Sequence, residues 1–236
     1  MLRALPFLLF SALAATAGTS VEGIVAPFRQ VELSPQVSSH ILGMLVQEGD
    51  TVKAGQPLAE LYGKLEELEM KRTRNLLERR EYEAKGVKKL FDNKVIPEAQ
   101  ALEAKSNLEL ARLNYETAAE QVRLHTILSP IDGVVVERHR EVGEAVSESQ
   151  SVFRILDLSK VYILGTLKPE QTAQMVLGQK LTVRLPHLPG KPTFQAVVTH
   201  VAPCADAAGS FRFKLLVENP EGWIRVGLKA AVELPD

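Results

Sequence analysis

The densest grouping of versatile side chains in the 236-residue sequence is His200-x3-Cys204-x-Asp206, which puts soft and hard metal ligands close together. A structural metal site needs a full coordination shell, and no second cluster completes one, so the stretch reads as a turn after a strand with an incidental thiol. Arg138-His139-Arg140 reads as the exposed side of a strand-turn. Hydrolytic chemistry would need a nucleophile beside a base or paired carboxylates on rigid elements. The chain has no Gly-x-Ser-x-Gly, phosphate loop or His-Glu-x-x-His. The expectation is a protein that is not an enzyme, with no catalytic residue, cofactor or metal. A formal net charge of -1, with both signs spread throughout, leaves no basic stripe for nucleic acid and no polybasic membrane patch. What remains is a concentration of lysines, Lys85, Lys88, Lys89 and Lys94, around the turn Asp92-Asn93-Lys94.

Those lysines lie between two helical runs. Gly63 to Phe91 contains no proline and only Gly86 as an internal glycine, and it is dense in Leu, Glu, Lys and Arg, which favour helix. At about 1.5 Å per residue such a helix is on the order of 40 Å long. Its apolar positions, Leu61, Leu65, Leu68, Leu76, Val87 and Leu90, suggest a narrow seam. Pro97 and Glu98 suit the first turn of a second helix that runs to about His125. Leu102, Leu110, Leu113 and Leu124 mark its stripe, and the alanines Ala99, Ala101, Ala104, Ala111, Ala118 and Ala119 permit close approach. Two helices joined by a short turn predict an antiparallel coiled-coil hairpin over 63–126.

Both sides of the hairpin have β texture. Short segments with turn punctuation at Glu48-Gly49-Asp50 and Ala54-Gly55-Gln56-Pro57 precede it. After it, strands are predicted near 161–167, 180–186, 193–202, 211–218 and 228–234, with a short helix over Glu170 to Val176. That is the texture of a small barrel. At the N-terminus, Arg3 precedes an apolar run from Ala4 to Ala15 that closes on Ala15-Thr16-Ala17. The run is shorter than the roughly 20 residues a spanning helix requires, so residues 1–17 read as a signal peptide. No cysteine lies near its end to carry a lipid, and Cys204, the sole cysteine, cannot form an intramolecular disulfide.

The two flanking β segments repeat each other. At one fixed offset Gly49-Asp50-x-Val52 matches Gly143-Glu144-x-Val146, Gln56 matches Gln150, Leu58 matches Val152 and Leu61 matches Ile155. Upstream, Ser34-Pro35 resembles Ser129-Pro130, with one extra residue in the first copy. The half-motifs resemble those of the biotinyl/lipoyl carrier fold. The order half-carrier, helical hairpin, half-carrier, barrel resembles the periplasmic adaptor or membrane fusion protein family, of the AcrA and HlyD types. The resemblance implies an α+β, mostly β fold. A split lipoyl-like β-sandwich (18–62 and 127–158) would carry the hairpin and lead to a β-barrel domain (159–236).

In a true carrier a cofactor lysine sits at a tight hairpin between the halves, usually within Met-Lys-Met. Here Lys64 stands at the start of a charged helical run with no flanking methionine, and reads as a solvated helix residue. Adaptors of RND-class pumps often carry Arg-x3-Leu-x6-Ser at the hairpin tip, where it docks on a TolC-type outer-membrane channel. Leu90 keeps the leucine, but Gly86 stands for the arginine and Pro97 for the serine. The partner-binding residues implied at the tip are Lys88, Lys89, Leu90, Asn93, Lys94, Ile96 and Pro97. The alternative is that Leu90, Val95 and Ile96 simply close the turn. The chain stops where the barrel should finish, so no separate membrane-proximal domain is expected, and Val21 to Gln30 would be a lone strand or a remnant.

The implied function is that of a periplasmic adaptor. It would link an inner-membrane efflux pump, of RND type first, to the outer-membrane channel and self-associate into a hexameric ring. Two alternatives stay open: an adaptor of an ABC/type I secretion system, and, in another class, a biotin- or lipoate-carrying enzyme subunit.

Overall fold

The computed structural model describes residues 20–190 and 192–235. The signal-peptide reading of residues 1–17 lies outside them. Two compact units are present, one of residues 29–158 and one that joins 20–28 to 159–235.

The chain begins with strand β1 (Ser20–Leu33), followed by β2 (Ser39–Met44), β3 (Thr51–Val52) and β4 (Pro57–Leu61). The hairpin helices are α1 (Lys64–Asp92) and α2 (Glu98–Arg123), and β5 (Thr126–Leu128), β6 (Gly133–Arg138) and β7 (Ala145–Val146) follow. Strand β8 (Phe153–Leu167) leads to a 3-10 helix (Pro169–Gln174) and then to β9 (Lys180–Arg184), β10 (Thr193–Val201), β11 (Phe211–Glu218) and β12 (Lys229–Glu233).

Within the 29–158 unit the sequence repeat becomes an exchange between halves. The Gly49 N–H donates to the Val135 carbonyl at 2.8 Å, and the matching Gly143 N–H donates to the Ile41 carbonyl at 2.9 Å. Val135 N–H returns a bond to the Asp50 carbonyl, and Ile41 N–H returns one to Glu144, both at 3.0 Å. Each half therefore completes the other. β3 pairs with β6 and β7 pairs with β2, so each half's short strand lies on the opposite half's sheet. Both glycines sit at positive φ, +93° and +90°, a backbone region that side chains with a Cβ avoid, which is why the repeat preserves glycine there. The acidic residue after each glycine ties the turn: Asp50 accepts from the Gln47 N–H and Glu144 from the Glu141 N–H. Gln56 and Gln150 do the same for the N–H groups of Lys53 and Ser147. The matched apolar positions, Val52 and Val146, Leu58 and Val152, Leu61 and Ile155, are all buried in one shared core. Half of that core alone would face water, so neither copy can be a stable unit.

In the other unit β8 pairs with β11, β11 with β10, β10 with β9 and β9 with β12, all antiparallel. Val21 to Gln30 is not a lone strand. β1 pairs with β12 from Ser20↔Glu233 to Ile24↔Lys229, and its further pairing with β8 closes six strands into a barrel. The closure depends on two glycines. A Cβ on Gly23 would meet the Ile163 side chain at 2.6 Å, and one on Gly165 would meet the Glu22 carbonyl at 2.6 Å. Residues 20–28 thus belong with the barrel and not, as the 18–62 boundary had it, with the first half of the sandwich. The barrel interior packs Val25, Ile163, Leu167, Val183, Phe213 and Leu215. The expected helix over Glu170–Val176 is a six-residue 3-10 turn. Pro169 starts it, the Lys168 N–H donates to Gln171, and Met175 leaves it extended and buried. A run this short forms too few i to i+4 bonds to sustain an α-helix.

Candidate functional site

The hairpin is built from its seam outward. Along α1 the residues screened from water include Met70, Thr73, Leu77, Arg80, Ala84 and Val87, and along α2 Ala104, Leu108, Ala111, Tyr115, Ala118 and Val122. They alternate at steps of three and four, the spacing of an antiparallel coiled coil. The leucine stripe expected from sequence is mostly elsewhere. Leu65, Leu68, Leu102, Leu110 and Leu113 are exposed, from 51 to 72%. The fully buried seam positions are Thr73, Ala111 and Ala118, small residues that bring the backbones close. The Thr73 hydroxyl, the polar group among them, donates to the carbonyl of Glu69 or Met70 one turn back, 3.0 Å from each, and so avoids the cost of a buried unpaired group.

At the base the two ends of the insertion meet. The Leu61 N–H donates to the His125 carbonyl at 2.8 Å, and the Tyr62 N–H to His40 at 2.8 Å. The His125 ring lies over Gly63, where a Cβ would come within 2.8 Å of it. Lys64, the residue at the cofactor-lysine position, is the first residue of α1 and ion-paired with Glu67 at 3.0 Å.

Between base and apex, charged side chains pair along each helix: Arg72 with Glu69, Arg74 with Glu78, Arg79 and Arg80 with Glu83, Arg112 with Glu109, and Arg123 with Glu120. Hydrogen bonds from Lys64, Arg72 and Arg123 hold the carboxyls of Glu67, Glu69 and Glu120 below their ordinary range.

The apex is organised by a hydrogen-bonded cap. The Val95 N–H reaches back to the Leu90 carbonyl and the Lys94 N–H to Phe91, both at 2.8 Å. This is a Schellman motif, whose residue just past the helix is left-handed and usually glycine. Lys94 occupies that place with φ of +58°, the one non-glycine residue at positive φ among the described residues. Pro97 caps α2 with extended backbone, and helix begins at Glu98. Of the residues implied by sequence, Lys88, Lys89, Leu90, Asn93, Lys94 and Pro97 are exposed, while Ile96 is half-buried.

Beside the apex, a groove of about 660 Å³ runs between the distal halves of the helices. Ala84, Ala101, Ala104 and Leu108 are among its apolar lining, and Lys85, Lys88, Lys105 and Arg112 contribute cations. Sequence reading missed the groove as a feature. Its signal was the run of alanines in early α2, which fills less space than leucine.

Among the described residues, no group of three His, Cys, Asp or Glu side chains is placed to hold a metal, and no helix is long and apolar enough to cross a membrane. Cys204 is exposed.

Residues 29–157 match the family described as "CzcB-like, barrel-sandwich hybrid domain". The cobalt-zinc-cadmium resistance protein CzcB of Cupriavidus metallidurans is 26% identical over 166 residues, covering 63% of this chain and 32% of its own. Multidrug resistance protein MexA of Pseudomonas aeruginosa is 27% identical over 150 residues, covering 63% and 39%. Nodulation protein NolF of Rhizobium meliloti is 24% identical over 223 residues, covering 88% and 60%. The chain thus spans between about a third and three fifths of the length of these relatives. Among solved structures, a MacA–MexA chimeric protein carrying the Pseudomonas aeruginosa MexA α-hairpin domain superposes with a TM-score of 0.79 at 24% identity, covering 92% of this chain and 80% of that one.

Proposed function

Because the chain belongs to the CzcB-like barrel-sandwich hybrid family of periplasmic adaptors, or membrane fusion proteins, we propose that it is a non-catalytic adaptor in tripartite efflux. It joins an inner-membrane pump, of RND type, to a TolC-type outer-membrane channel in the periplasm, working as a hexameric ring. Its cargo is a small molecule or metal ion that the pump, not the adaptor, selects. The observation that carries this reading is the division of labour in the 29–158 unit. A β-clamp made of two interlocked halves holds a helical arm whose far end is exposed and basic.

The arm can be tested without breaking the clamp. Leu61 and His125 are already hydrogen-bonded, so replacing residues 64–124 by a short flexible linker leaves the shared core in place. In cells lacking the native adaptor, the shortened protein is expected to reach normal periplasmic levels yet confer no tolerance to the pump's cargo. Full tolerance with the arm removed would overturn the reading. A mass increase matching biotin or lipoate on Lys64 in the intact protein would replace it with the carrier reading. Restoration of tolerance by an ABC pump and not by an RND pump would move it to the type I class.

A further inference from the structure

The groove between the distal halves of α1 and α2 holds about 660 Å³, inside the range of about 300–1,000 Å³ over which concave sites accept small molecules. Its half-buried lining is apolar. Ala84, Ala101 and Ala104 leave room that leucines would fill, and Leu108 continues the same surface. Phe91 and Leu102 also line it and stand 39 and 61% exposed, so large apolar side chains border the hollow in water.

The charged lining is unequal. Lys85 and Lys88 of α1 and Lys105 and Arg112 of α2 contribute four cations, against the two carboxylates of Glu81 and Glu98. Arg112 has a partner in Glu109 at 3.8 Å, whereas the three lysines make no ion pair among the described residues. Lys71 of the shaft makes none either, so an unpaired ammonium is no signal by itself. What is particular to this place is that unpaired ammoniums from both helices border one apolar hollow. A lysine lays its stem along apolar surface while its head stays in water, so the walls add hydrocarbon as well as charge. An inorganic anion would leave the alanines and Leu108 wet, and a neutral hydrocarbon would leave the ammoniums unused.

We infer that the groove binds a single-chain amphiphile with an anionic head. The chain covers Ala84, Ala101, Ala104 and Leu108, and the head is met from both walls, by Lys85 or Lys88 on α1 and by Lys105 on α2. Because such a ligand touches both helices, it stabilises their distal pairing, and the melting midpoint of the helical signal rises with ligand concentration. The site goes beyond the adaptor reading and does not depend on it.

The test is titration calorimetry of the whole exported protein with decanoate below its micelle concentration. Decanol and decyltrimethylammonium keep the chain and change the head, and acetate keeps the head without the chain. Decanoate should bind saturably, one molecule per chain, and raise the helical melting midpoint. Decanol should bind about tenfold more weakly, and decyltrimethylammonium and acetate should not bind. Replacing the two facing lysines together, Lys85→Gln with Lys105→Gln, should weaken decanoate about tenfold and leave decanol unchanged. Ala101→Leu keeps helix propensity but fills the groove, and should weaken both. Leu113→Ala and Lys71→Gln lie outside the groove and should bind as the unaltered protein does. Helical circular dichroism is compared for every variant, and the lysine pair decides the matter if Ala101→Leu loses helix. Absence of saturable decanoate binding would overturn the site. So would equal binding of all three heads, or an equal loss in Leu113→Ala or Lys71→Gln, either of which would mean adsorption to the arm at large. None of these failures touches the adaptor reading, which the arm-deletion experiment tests separately.

Discussion

The shaft and the apex of the hairpin are made of the same residue types and solve opposite problems. In the shaft, Arg and Glu close on each other three or four residues apart, and small side chains let the helices touch. Its arginines are all met within their own helices, although Leu65, Leu68, Leu110 and Leu113 stay exposed on its surface. At the apex the lysines have no carboxylate partners among the described residues, Leu90 and Val95 stand exposed, and the turning residue, Lys94, takes a left-handed backbone. What separates the regions is how their cations are met: the shaft's arginines close on glutamates, and Lys85, Lys88, Lys89 and Lys94 make no ion pair among the described residues.

The largest effect should come from breaking the shaft. Ala111→Pro removes an i to i−4 backbone hydrogen bond within α2 and drives a ring into its preceding turn, which costs about 3 kcal/mol or more. Helical circular dichroism should fall and tolerance should be lost, while the barrel stays folded by limited proteolysis. Next, Ala118→Leu forces a larger side chain into the closed seam and should cost about 1–3 kcal/mol in urea unfolding of the helical signal. Leu113→Ala, by contrast, trims a half-exposed side chain on α2 and should stay within about 0.5 kcal/mol, although sequence would name it as seam. Equal losses at Ala118 and Leu113 would show that the seam lies elsewhere.

The smallest effect is one of pH. The Glu67, Glu69 and Glu120 carboxyls titrate below their ordinary value of 4.5 because their cationic neighbours favour the charged form. Their contribution is present above 4.5 and fades as pH falls through the lowered folded values. Helix melting should therefore be flat from pH 7 to 5 and should drop only in stronger acid. A drop beginning near pH 6 would show that these three carboxyls do not set the acid response.

The repeat was legible because its glycines and tying side chains are local requirements. Gly49 and Gly143 need a left-handed backbone, and Asp50, Glu144, Gln56 and Gln150 each bond within their own turn. The seam was not legible, because leucine draws the eye to the stripe it usually forms. Here Thr73, Ala111 and Ala118 carry the close contact instead. β1 could not be placed because its partner, β12, lies at the other end of the chain, and pairing between remote segments leaves no local mark. At the tip, Asp92-Asn93-Lys94 located the turn, but only the backbone shows which residue bears the left-handed angle. Without glycine the usual signal is missing.

The meeting of Leu61 and His125 at the arm's root has an evolutionary consequence. Because the chain enters and leaves the arm side by side at Leu61 and His125, the arm can be lengthened or shortened without altering the shared β core beneath it. Each heptad added to both helices extends it by about 10 Å and returns the seam to the same face. Selection can therefore retune the reach of the arm in fixed increments, as one changes the notches on a ratchet. The clamp below needs no compensating mutation.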